Sequence, residues 1–141
     1  MVPKENIFLR DSIFRIIKIS DIAFITVCYF IVGYNMGFYI DTFFTNLYGT
    51  EYKTKSKNVL LMEVVSQIMF IGIASYIGRN IVQLIPFPLD GVYGFQHLRV
   101  KEVVSGNFLT IFLVMFQYSM QDKILYIKKI VSKKPSAYNT N

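Results

Sequence analysis

At 141 residues the chain is long enough for one compact unit and no more. Its hydrophobic share is 53%, its charged share 17% and its mean hydropathy +0.41, a polar coat too thin for a soluble enzyme of this size, where about a quarter of residues carry charge. The net charge of +6 is placed at the edges of apolar runs, a distribution that suits anionic lipid head groups. A lysine-rich end could also neutralise nucleic-acid phosphates, but that reading ranks below lipid.

In chain order, residues 1–20 form a basic segment with Lys4, Arg10, Arg15 and Lys18. Within it, residues 5–18 mix charge with Ile7, Phe8, Ile13, Phe14, Ile16 and Ile17. That pattern predicts an amphipathic helix lying along a membrane surface, or equally one docked on other protein. No small-residue cleavage pattern follows, so no signal peptide is expected. Residues 21–44 are the first predicted span. Their core, residues 22–40, is uncharged between Asp21 and Asp41 and measures roughly 28 Å as a helix, against a hydrocarbon core of about 30 Å. Cys28 lies inside it as the only cysteine, which leaves no internal disulfide or zinc motif and suggests a packing role.

Gly33 and Gly37 make a GxxxG on this span, with Asn35 between them. Small residues let helices approach closely in lipid, and Asn35 would then bond across the interface. A polar loop at 45–57 carries Lys53, Lys55 and Lys57, followed by the second predicted span at 58–78. There Glu63 and Gln67, four residues apart, share a face expected to meet another helix, while Ala74 and Gly78 form a second small-residue pair. A carboxylate within a span raises the question of function, but an interfacial or helix-paired Glu63 is the better reading.

Residues 79–106 hold a Pro/Gly turn and a short interfacial helix. Pro86 and Pro88 end any arriving helix, Asp90-Gly91 is a turn signal, and a helix is expected from Val92 or Phe95 to Val104. On that helix His97 and Lys101 would lie four apart, and Arg99 and Glu102 three apart. His97, Asp90 and Glu102 lack metal-ligand spacing, and no nucleophile elbow or phosphate-cradling loop is present, so neither catalysis nor a cofactor or metal is expected. The third predicted span, 107–121, is short alone and reaches about 18 residues when extended back to Val103. A basic tail at 122–141 includes Lys123, Lys128, Lys129, Lys133 and Lys134, with 133–141 expected as a flexible or partner-ordered end. Three crossings would leave seven cations on one side and eight on the other, so charge assigns no orientation.

The expected class is therefore all-α, a multi-pass membrane unit of three spans. Residues Pro86, Pro88, Asp90, Gly91, Tyr93, Gly94, His97, Arg99, Lys101, Glu102 and Gly106, ahead of an aromatic-rich last run, make the chain resemble a small multi-span membrane protein of nucleocytoplasmic large DNA viruses. The resemblance covers about a quarter of the chain. It implies a structural protein of the internal virion membrane beneath an icosahedral capsid. Partners would be lipid and other membrane or capsid proteins, with no small-molecule substrate. Two other readings stay open: a channel or transport subunit lining a polar path with Asn35, Glu63 and Gln67, or an accessory subunit of a cellular, even organellar, membrane complex. For partners or lipid head groups, the candidate contacts are Asp90, His97, Arg99, Lys101, Glu102, Lys128, Lys129, Lys133 and Lys134.

Overall fold

The computed structural model describes residues 4–132, without the side chains of residues 4–6 and 102. The predicted tail end with Lys133 and Lys134, and the side chain of Glu102, lie outside the described residues. Five α-helices and three short 3-10 turns make up the fold, and no strand occurs among the described residues.

Helix α1 (Lys4–Tyr48) is unbroken for 45 residues, or about 67 Å. The predicted surface helix over 5–18 is therefore no separate element but the first part of α1. Nothing in the sequence stops it: there is no proline or glycine between Lys4 and Val32, and the Asp21 side chain is drawn to another segment rather than to a helix cap. The helix ends at Gly49 (φ +74°), whose amide donates to the Thr45 carbonyl at 2.8 Å. After one 3-10 turn at Tyr52–Thr54, Ser56 caps α2 (Lys57–Gln83), and Ile85, preceding Pro86, is where helical backbone becomes costly.

Both α1 and α2 are long and apolar enough to cross a membrane. Their outward faces carry large apolar side chains, among them Phe38 (60% exposed), Met62 (69%) and Met69 (66%). Water would penalise such a surface, whereas hydrocarbon solvates it.

The expected helix over 92–104 is replaced by smaller pieces. Gly91 (φ +85°), Tyr93 (φ 51°) and Gly94 (φ +79°) take left-handed backbone, and Gln96 and Val100 are extended. Two 3-10 turns, Val92–Gly94 and His97–Arg99, precede α3 (Lys101–Ser105). Gly106 (φ +61°) then turns the chain into α4 (Asn107–Met115), and a break at Phe116 and Gln117 leads to α5 (Tyr118–Ser132). Neither α4 nor α5 alone has the length of a crossing.

Contacts define the topology. Tyr48 meets Ser66, and Gly78 lies against Met36 and Val32, so α2 runs antiparallel to α1. His97 meets Asp21 and Ser119 meets Asp41, so the segment from 97 to 119 runs alongside α1 and parallel to it. The core between the three strings of helix includes Ile25, Tyr29, Leu60, Leu109 and Leu113, all fully buried.

Candidate functional site

Few polar side chains enter this apolar bundle, and those that do are gathered at two levels along α1, near Asp21 and near Asp41. Twenty residues of helix separate those levels by about 30 Å.

At the Asp21 level, His97 Nδ1 lies 2.6 Å from Asp21 Oδ1, with both side chains almost wholly buried. One of the two atoms donates and the other accepts, so a carboxylate form of Asp21 would accept the hydrogen bond of a proton carried by His97 Nδ1. The His97 amide in turn donates to Asp90 Oδ1 at 2.8 Å, which fastens the Asp90-Gly91 turn to the same point. Phe87 stacks on the His97 ring and also touches Phe24 and Phe95. A buried acid on α1 thus holds the whole 86–100 excursion against the bundle.

The Asp41 level is built differently. Glu63 of α2 receives Lys55 from the loop at 2.5 Å on Oε1. Lys123 of α5 sits 2.9 Å from Oε2, off-line for a hydrogen bond but within ion-pair range. The Lys123 side chain is only 1% exposed and lies 5.1 Å from the Tyr48 ring centre. Asp41, which lies within electrostatic reach of Lys123, balances the second cation, and the ring face of Tyr48 lies against both lysines. Lys55 also donates to the Tyr48 carbonyl, an acceptor left open at the end of α1.

At these levels and between them, the breaks in the segment after His97 would leave carbonyls without helical partners, which a water-poor interior does not tolerate. Neighbouring side chains supply them. Tyr29 donates to the Val103 carbonyl at 2.5 Å, and Arg79 Nη1 reaches the Val104 carbonyl at 3.5 Å. At the second break, Gln121 donates to the carbonyls of Val114 and Met115, both at 3.1 Å. Asp41 accepts from the Ser119 amide at 3.1 Å, capping α5 from a different helix. Gln117, fully buried, links all three strings by donating to the Gly37 carbonyl at 2.9 Å and accepting from Gln67 at 2.7 Å.

The sequence candidates separate on this geometry. Gly33 and Gly37 pack on α4 and the residues that follow it, since a Cβ on either would fall 2.8 and 2.9 Å from Phe112 Cβ and Phe116 Cβ. A Cβ on Gly78 would fall 2.8 Å from Leu109 Cδ2, and Ala74 is buried on the α2 face that meets α1. Asn35, however, is exposed and bonds the Ile31 carbonyl of its own helix, because residue 35 turns away from the face shared by Gly33 and Gly37. Glu63 and Gln67 do share one face but serve different partners. His97 and Asp90 meet, whereas Arg99 and Lys101 point to the surface beside them. Lys128 and Lys129 are exposed near the end of α5.

Sequence reasoning missed Asp21, Tyr29, Asp41, Lys55, Arg79, Gln117 and Lys123 as contact residues. Asp21 and Asp41 served only as boundary marks, and Lys123 was counted with the tail. A signal existed for Gln117, an uncharged polar residue within an otherwise apolar run. Among the described residues no group of three metal-ligating side chains gathers. Comparison with protein families, curated proteins and solved structures gives no match for this chain.

Proposed function

We propose that the chain is a structural multi-pass membrane protein that crosses the bilayer three times and serves to anchor or shape the membrane. The third crossing in this reading is the composite 97–119 segment, not residues 107–121 alone. Its ends are tied to the acids that bound the apolar part of α1, and its breaks are supplied by neighbouring side chains. Irregular backbone of this kind suits membrane depth when it is buried in protein.

One observation carries the structural role over a transport role: each buried polar side chain meets another one or an open carbonyl. Asn35 faces outward while Glu63 and Gln67 face inward, so the three do not line a common path. The resemblance in the 86–106 segment favours the internal membrane of a large DNA virus as the setting, with capsid or other membrane proteins as neighbours. Enzymatic activity is not part of the proposal.

Fractionation of purified particles with mild detergent tests it. The protein should remain with the membrane layer and crosslink to capsid protein through Lys101 or Lys128. Absence from particles, or presence only in membranes of the host cell, would overturn the viral setting. Conductance in liposomes that Glu63→Gln abolishes would overturn the structural role.

A further inference from the structure

Next to the buried Asp21–His97 pair, but separate from it, α1 and the 94–101 segment flank an open cleft of about 440 Å³. Three cations line it, Lys18 from α1 and Arg99 and Lys101 from the other wall, and Gln96 adds an amide. Its apolar part comprises Phe14, Phe95 and Val100; Phe95 and Val100 are buried, and Phe14 meets Phe95 edge-on at 5.5 Å. Among the described side chains, no carboxylate lines it. Three like charges around one hollow make a positive potential that attracts an anion. Its walls are held firmly. The Val100 amide donates to the His97 carbonyl at 3.1 Å, and His97 is locked to Asp21 and Asp90.

The height of the cleft is informative too. Lys18 stands one helical turn before Asp21, where the uncharged run of α1 begins. On the membrane reading above, which this inference rests on, that is the level of the lipid head groups.

We propose that this cleft binds the phosphate-bearing head group of an anionic phospholipid. Arg99 offers the planar donor fork that suits phosphate oxygens, and Lys18 and Lys101 supply further charge. Phe14 and Phe95 give the adjoining glycerol and first methylenes an apolar wall. Free phosphate shares the anion chemistry but has no use for that wall.

The test uses the full chain in mixed micelles of phosphatidylglycerol and phosphatidylcholine, with retained lipid read by native mass spectrometry. The wild type should retain phosphatidylglycerol preferentially. The triple variant Lys18→Gln/Arg99→Gln/Lys101→Gln should lose that preference by roughly tenfold or more. Lys128→Gln/Lys129→Gln, at the other end of the molecule, should keep it. Circular dichroism should show equal helix content in all three, since the altered side chains are exposed. An undiminished preference in the triple variant would overturn the site. Displacement of the lipid by millimolar inorganic phosphate would also overturn it, by assigning the cleft to a soluble anion. Carbonate extraction separates the two levels of the argument: release of the wild type refutes the membrane reading and the lipid site with it. Resistance in every variant, with no lipid preference in the wild type, refutes the site alone.

Discussion

The two ends of the bundle solve the same problem with different chemistry. Each must tie a connecting segment back to the long helices where the apolar stretch finishes. Near Asp41, one carboxylate is shared by two lysines, one from a loop and one from α5. Near Asp21, an acid and a histidine meet, and a backbone amide brings in a second acid. The first arrangement depends on full charges, one of them a lysine with almost no access to solvent. The second depends on directed hydrogen bonds and on Phe87 stacked over the ring. Loss of a partner should therefore be felt more at the Glu63 end, since an uncompensated buried charge costs more than an unmet hydrogen bond.

The largest effect is expected for Glu63→Ala, which strands Lys123. Thermal unfolding in detergent should show a loss of about 3–5 kcal/mol. Combining Glu63→Leu with Lys123→Met should recover most of it, because a well-packed apolar pair can replace a buried ion pair. If the double variant is as unstable as the single, the cluster is held by something other than charge pairing. Asp21→Ala comes next, at about 1–3 kcal/mol, with faster proteolysis at residues 86–100 as the 86–100 excursion loses its anchor. An effect equal to that of Glu63→Ala would erase the distinction between the two ends. Tyr29→Phe, midway between them, removes one donor and should cost about 1 kcal/mol in the same assay. The smallest change is expected for Asn35→Ala, within about 0.5 kcal/mol, because its side chain bonds only its own helix. A large loss there would mean that Asn35 meets a partner outside this chain.

The chain announces its long helices plainly. The uncharged run after Asp21 and the run after Lys57 both read as membrane-length helix, and both are. Periodicity reports which residues share a face of one helix; it does not report which helix that face will meet. Gly33 and Gly37 were legible as a packing face, but their neighbour is the α4 string, about 80 residues on. Asp21 and His97, 76 positions apart, could be paired only once the fold had brought them together.

The other failures have local causes. Treating 5–18 as a separate helix relied on its charge pattern, yet a change of charge does not interrupt helical backbone. Reading 92–104 as one helix overlooked Tyr93, whose left-handed backbone is rare for a residue with a side chain, and the extended Val100. Lys123 is hard to place from sequence because lysines usually reach water, and its burial rests on Glu63, Asp41 and the Tyr48 ring, brought to it by the fold.

The most direct test of membrane embedding is a spin-label scan along α1 in lipid vesicles, after Cys28→Ser. Labels from position 22 to 40 on the outward face should show high oxygen and low nickel-chelate accessibility. Labels at 8 and 47 should show the reverse balance. Nickel-chelate access that is uniform from 8 to 47 would place α1 in water and contradict the account.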